Sequence, residues 1–131
     1  MSSNLQTSVE FVVKVETFDD LATLDHSVTY FIPSTVNVSQ VDLEAQAKMV
    51  EYISTTLATE FGGATKNAPA AGLWPSQTDG MVEEGIIPVT VFTSDFSPET
   101  QSRLIGLGRE IMNRMSQETV MLVVDGKAKF L

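Results

Sequence analysis

The order of strand-forming and helix-forming stretches constrains this chain more than any other feature. Residues 28–32 form a short apolar run stopped by Pro33, which has no backbone N–H to donate. A helix is expected to begin near Ser39 or Asp42, both good N-caps, and to run to about Phe61. It stops at Gly62-Gly63, residues suited to a left-handed C-terminal turn. At 100° per residue Leu43, Ala47, Val50, Leu57 and Phe61 form one stripe, widened by Met49 and Ile53. A loop rich in Ala, Gly and Pro follows, carrying Trp74, and Asp79-Gly80 makes a hairpin-turn pair. A long strand, residues 81–93, comes next, with the β-branched run Ile86, Ile87, Val89, Thr90 and Val91, and Pro88 inside that run predicts an edge position or a bulge.

Ser97-Pro98-Glu99 reads as a second helix start, with an N-cap, a proline at the first helical position and an acid in the first turn. Leu104, Leu107, Ile111 and Met115 share a face of that helix, and Gly108 in the same face allows close approach to a sheet. Residues 120–124 and 127–131 read as strands joined by the turn pair Asp125-Gly126. From residue 28 the order is therefore β-α-β-β-α-β plus a terminal hairpin strand. That is the split-βαβ, ferredoxin-like order, an α+β fold with two helices on one face of an antiparallel sheet. One domain spanning residues 1–131 is expected, made of an N-terminal extension, 1–25, and a core, 26–131. Within the extension, Val9, Phe11, Val13 and Val15 alternate with polar residues as in a half-buried strand, and residues 17–25 suit a turn or short helix. The wide apolar arc of the first helix and the two-sided apolar strands predict a homo-oligomer, a dimer or a hexamer.

Composition narrows the function classes. The 131 residues hold no cysteine, and the charge of −9 opposes a broad DNA, RNA or acidic-membrane surface. No apolar stretch is long enough for a bilayer, and the first residues lack a secretory pattern, so a cytoplasmic protein is expected. His26 is the single histidine, which cannot make a typical zinc site without cysteines. Asp25 beside it would point away in a strand, so His26 reads as an ordinary strand-end residue. Glu83 and Glu84 point to opposite faces of a strand and do not form an acid/base pair. One of them is free to face a ligand or an oligomer axis. Gly62-Gly63-Ala64-Thr65 follows a helix rather than preceding one, so capping explains it better than a phosphate loop. Arg103, Arg109 and Arg114 are all the arginines of the chain and lie on the second helix. They are either phosphate ligands across a subunit interface or surface residues balancing local acids.

Residues 32–38 (Ile-Pro-Ser-Thr-Val-Asn-Val), Phe61-Gly62-Gly63-Ala64-Thr65, Ala71-Gly72-Leu73-Trp74, Asp79-Gly80, Glu83-Glu84 and Gln117-Glu118-Thr119-Val120 resemble stretches of small phage and prophage proteins. Over residues 28–131 the chain resembles the phage Thoeris anti-defence family, first type. That resemblance implies a viral, non-enzymatic sponge without cofactor or metal. It would bind and sequester a cyclic ADP-ribose-type signal or a related cyclic nucleotide. The ligand-binding residues are then assigned by chemistry. Arg103, Arg109 and Arg114 serve for phosphate, Trp74, Phe61 and Phe92 for the base, and Gly62, Gly63 and Thr65 for close backbone approach. Two alternatives stand beside it. One is an oligomeric structural or protein-interaction domain without a small ligand. The other is a cofactor-free ferredoxin-like enzyme, which would need a polar cluster around His26 or Glu83. Where the arginines point separates the first two.

Overall fold

The computed structural model describes residues 15–37 and 40–131. The expected strand at 8–16 falls outside them except for Val15 and Glu16, which are in no strand. A single 3-10 turn, Phe18–Asp20, precedes β1 (His26–Pro33). Then come a small hairpin of β2 (Thr35–Val36) and β3 (Gln40–Val41), helix α1 (Leu43–Phe61), β4 (Thr65–Lys66), β5 (Ala70–Ser76) and β6 (Gly80–Thr93). Helix α2 (Pro98–Arg114) and the hairpin β7 (Met121–Val124) and β8 (Lys127–Phe130) complete the fold. The sheet runs β4-β6-β1-β7-β8, with β5 also paired to β6, and every pairing is antiparallel. Along β5-β6-β1-β7 this is the strand order of a split-βαβ fold, as the sequence predicts.

The helix boundaries follow their caps. The Asp42 carboxylate accepts from the Ala45 N–H at 2.9 Å, and Gly62 closes α1 at φ 88° with its N–H donating to the Ala58 carbonyl. The Ser97 hydroxyl accepts from the Thr100 N–H, with Pro98 in the first helical turn. Gly108 meets the sheet where a Cβ would lie 2.6 Å from Leu131 Cδ1, the close approach expected of it.

The core lies between the helices and one sheet face. Val28, Tyr30 and Ile32 of β1 and Val89 and Val91 of β6 meet Ile53 and Leu57 of α1 and Leu104, Leu107 and Ile111 of α2. Burial pushes the Tyr30 phenol well above its ordinary titration range, and its hydroxyl donates to the Leu104 carbonyl at 2.7 Å.

Two expectations are corrected and a third is sharpened. The buried stripe of α1 is Gln46, Met49, Val50, Ile53, Ser54 and Leu57, while Leu43 is 65% exposed and Ala47 is also exposed. The stripe is rotated because Gln46 turns inward to donate to the carbonyls of Ile32 and Gly85. The loop expected around Trp74 is strand β5, its small residues hiding the alternation. Pro88 is not at an edge, since β6 is paired on both sides of it, but the register slips by one residue beside it: Lys66 opposes Val89 and Ala70 opposes Ile86, so residues 68 and 69 face residue 87 alone, the two-against-one count of a bulge. The Pro88 carbonyl accepts from the Asn67 N–H, so its missing N–H faces the break between β4 and β5.

The rotated stripe is testable by urea unfolding. Ile53→Ala, at a fully buried site, should cost about 2–5 kcal/mol. Leu43→Ala, at an exposed one, should stay within about 0.5 kcal/mol of wild type.

Candidate functional site

Strand β6 sorts its side chains into two environments. Its odd residues 87, 89 and 91 face the helices, and its even residues look to the other, helix-free face. In register with them on that open face are Phe31 opposite Pro88 and Pro33 opposite Ile86 on β1, and Gly72 opposite Glu84 and Trp74 opposite Val82 on β5. A cleft of about 450 Å³ opens there, lined by Phe31, Pro33, Trp74, Glu84, Ile86, Gln117, Glu118, Met121 and Phe130, among others. It has no lysine or arginine in its wall.

Glu84 is the group that distinguishes this cleft. It is only 8% exposed, whereas Glu83 points to solvent, the split expected of adjacent strand residues. Its Oε1 accepts from the Thr35 N–H at 3.1 Å and from the Thr35 hydroxyl. No ion pair among the described residues involves Glu84. A buried carboxylate is costly unless hydrogen bonds or a cation compensate it, and here the two Thr35 donors do so at Oε1. Glu84 also lines a neighbouring cleft beside Thr35, Leu43 and Gln46.

A different cleft gathers three residues singled out from the sequence: Phe61, Phe92 and Arg103. Its other walls include Glu60, Asp95 and Glu99, which make it acidic. Arg103 is occupied there, with Nε donating to Glu60 Oε1 at 2.8 Å and an Nη to Oε2 at 2.6 Å. That pairing holds the Glu60 carboxyl below its usual range. The Thr100 hydroxyl, and then the Ser97 N–H, do the same for Asp95.

The remaining arginines are elsewhere. Arg114 stacks over the Tyr52 ring at 4.3 Å, with Glu110 4.0 Å away, and Arg109 is exposed. Arg103 and Arg114 do share a side of α2, but they use it to tie α2 to Glu60 and Tyr52 of α1. Gly62 and Gly63 lie exposed at the end of α1, Thr65 pairs with Thr90 at the sheet margin, and Trp74 lines the open-face cleft.

His26 has a partner that sequence proximity did not reveal. Its Nδ1 lies 2.8 Å from Asp125 Oδ2, and its ring stacks on Phe96 with centroids 4.2 Å apart. Asp125 sits at φ 51° and Gly126 at φ 80° in the β7–β8 turn, a geometry that matches the hairpin twist. Asp125 Oδ1 also accepts from the Ser27 N–H at 2.9 Å, which latches the hairpin to β1. Among the described residues no group of three metal-ligating side chains converges, and no helix is long and apolar enough to cross a membrane.

No family model matches the chain, and no curated protein does. Two solved structures share its architecture. Its fold resembles that of phage SAM lyase. The lyase in complex with S-methyl-5′-thioadenosine aligns at a TM-score of 0.62 and 15% identity, over 88% of this chain and 95% of the lyase. The lyase in its apo state aligns at 0.63 and 16% identity, over 91% and 95% of the two chains. The likeness corrects the functional expectation. This fold is shared with a lyase, which is an enzyme, and that finding runs against the expectation of a non-enzymatic Thoeris-type sponge for cyclic ADP-ribose. The arginines agree with the correction: they do not converge on one pocket, and the one facing a cleft is already bound by Glu60.

Hydrogen bonds from His26 and then from the Ser27 N–H hold the Asp125 carboxyl below its ordinary value of 3.8. A carboxyl depressed in the folded state stabilises the fold above its unfolded pKa and loses that contribution as pH falls through the folded pKa. Wild type should therefore melt above Asp125→Asn near neutral pH. The gap should close as pH falls below about 4, as followed by circular dichroism.

Proposed function

We propose that this protein is a lyase that cleaves SAM, S-adenosylmethionine, to S-methyl-5′-thioadenosine without water. The observation that carries this reading is the open-face cleft. It combines aromatic walls, a buried carboxylate held from one side, and no basic residue. SAM presents a sulfonium and an ammonium against one carboxylate, so its net charge is positive. A cleft with Glu84 and Glu118 and no cation suits such a ligand, as does the chain's charge of −9. Trp74 and Phe31 supply apolar ring surface for the adenine.

The chemistry asks little of the protein. In SAM the Cγ–S bond joins the amino-acid arm to a sulfonium, which leaves as a neutral thioether. The substrate's own α-carboxylate attacks Cγ, forming a C–O bond as the C–S bond breaks and its electron pair returns to sulfur. The products are S-methyl-5′-thioadenosine and homoserine lactone, which balance without water or co-reactant. One negative and one positive charge cancel in this step, so a desolvating apolar wall favours it. Folding the arm back makes the attack intramolecular, the orientation effect that lowers such barriers most. Glu84 pairs with the α-ammonium and holds the arm in that bent shape. An enzyme of this kind needs no nucleophile, no base and no metal of its own.

Incubation with SAM, read by liquid chromatography and mass spectrometry, should yield S-methyl-5′-thioadenosine. Glu84→Gln should lower kcat/KM by about 100-fold or more, the scale at which one misplaced group disrupts a bound geometry. Trp74→Ala should weaken S-methyl-5′-thioadenosine binding by roughly 5–100-fold, the range for losing one base-stacking ring. No product from wild type, or full activity in Glu84→Gln, would sink the assignment.

The cleft rim carries Leu73, 64% exposed, and Phe130, 69% exposed. These support the homo-oligomer expected from the sequence, with this face turned to another copy. Light scattering on wild type should give a multiple of 14.3 kDa, and Phe130→Glu should lower it. A monomeric wild type would refute the assembly.

A further inference from the structure

We infer that Thr35 is a positioning residue for the Glu84 carboxylate, and this rests on reading the open-face cleft as the SAM site. The geometry arises where β1 leaves the sheet. Pro33 is its last residue in register, opposite Ile86, and the Ser34 N–H extends the ladder by one bond to the Gly85 carbonyl at 3.0 Å. The chain then turns into the β2–β3 hairpin. The Thr35 N–H, which has lost its strand partner, is satisfied by a side chain instead: Glu84 Oε1 at 3.1 Å. The Thr35 hydroxyl donates to the same oxygen. Two donors on one oxygen set the plane and direction of the carboxylate and leave Oε2 outside both bonds.

Thr35 is itself fixed from three sides. Its carbonyl accepts from Gln117 Nε2 at 2.9 Å, and the same amide group donates to the Met115 carbonyl at 3.0 Å. It pairs in register with Val41 of β3, and the preceding Ser34 carbonyl accepts from the Asp42 N–H at 2.8 Å. Thr35 is 7% exposed, so water competes little for these bonds. The orientation of Glu84 is thus set by a residue anchored to α1, to the loop after α2 and to the hairpin. Charge-assisted bonds of this kind are the strong ones, and a carboxylate that loses them is free to swing.

The test compares wild type, Thr35→Val, Thr35→Ser and Thr35→Ala. It measures SAM cleavage, calorimetric binding of S-methyl-5′-thioadenosine, and melting temperature. The product lacks the amino-acid arm that Glu84 is proposed to hold, so its binding reports the rest of the site. Thr35→Val should cut kcat/KM for SAM by about 10–100-fold, the cost of misplacing a binding group, while the product's Kd stays within about twofold, well under one stacking contact. Thr35→Ser, which keeps the hydroxyl, should recover most of the loss. Thr35→Ala should show the same pattern as Thr35→Val, and it decides the matter if Thr35→Val does not fold. Normal cleavage in Thr35→Val, or in Thr35→Ala where Thr35→Val is unfolded, overturns the positioning role and leaves the lyase reading intact. Product binding that falls in step with activity and melting temperature also overturns it, because that pattern marks a merely structural residue. A wild type that forms no S-methyl-5′-thioadenosine overturns the lyase reading and this inference together.

Discussion

Everything in this fold hangs on β6 being paired along both edges. Of its 14 residues, 86–93 pair with β1 on one side, while 80–86 pair with β5 and 89–90 with β4 on the other. Where both edges are paired, the ladder takes up the backbone polar groups, and the two faces of the strand are left to do different work. One face supplies Val89 and Val91 to the core. The other supplies Ile86 and Glu84 to the open-face cleft. The same pairing tolerates Pro88, because the position of its missing donor coincides with the break between β4 and β5.

The polar groups divide along a similar line. On the helical side, charges are matched within the chain: Arg103 with Glu60, Arg114 over Tyr52 and near Glu110, and Asp95 capped by Thr100 and Ser97. These contacts hold α1, α2 and the loop before α2 together, and they leave little for an anionic ligand. On the open face Glu84 is held by neutral donors alone. The contrast makes the acidic balance of the chain awkward for binding a phosphate signal and compatible with the sulfonium substrate proposed above.

The absence of a recognisable catalytic set argued, from sequence, for a binding protein. That argument assumes the protein must supply the reacting groups. It fails for a substrate that carries both its nucleophile and its leaving group, since the protein then needs only to bend and desolvate it. Glu83 and Glu84 were legible as a pair splitting between faces. Which of the two turned inward, and toward what, was not.

Local physics settled much of this molecule before any contact between distant segments. Asp42, Gly62, Ser97-Pro98 and Asp125-Gly126 mark their caps and turns through bonds and dihedral angles reaching only a few residues, so they were readable directly. The alternation of strands and helices likewise carried the sheet order. Tertiary structure decided what depends on segments far apart in the chain. It rotated the α1 stripe around Gln46, whose partners lie on β1 and at Gly85 of β6, and made a strand of the small residues before Ser76. It gave His26 a carboxylate 99 residues away, bound Arg103 to Glu60, and set Thr35 against Glu84 across 49 residues. Periodicity reports which face a residue occupies. The partner waiting on that face is set by how the chain returns, and no local pattern encodes it.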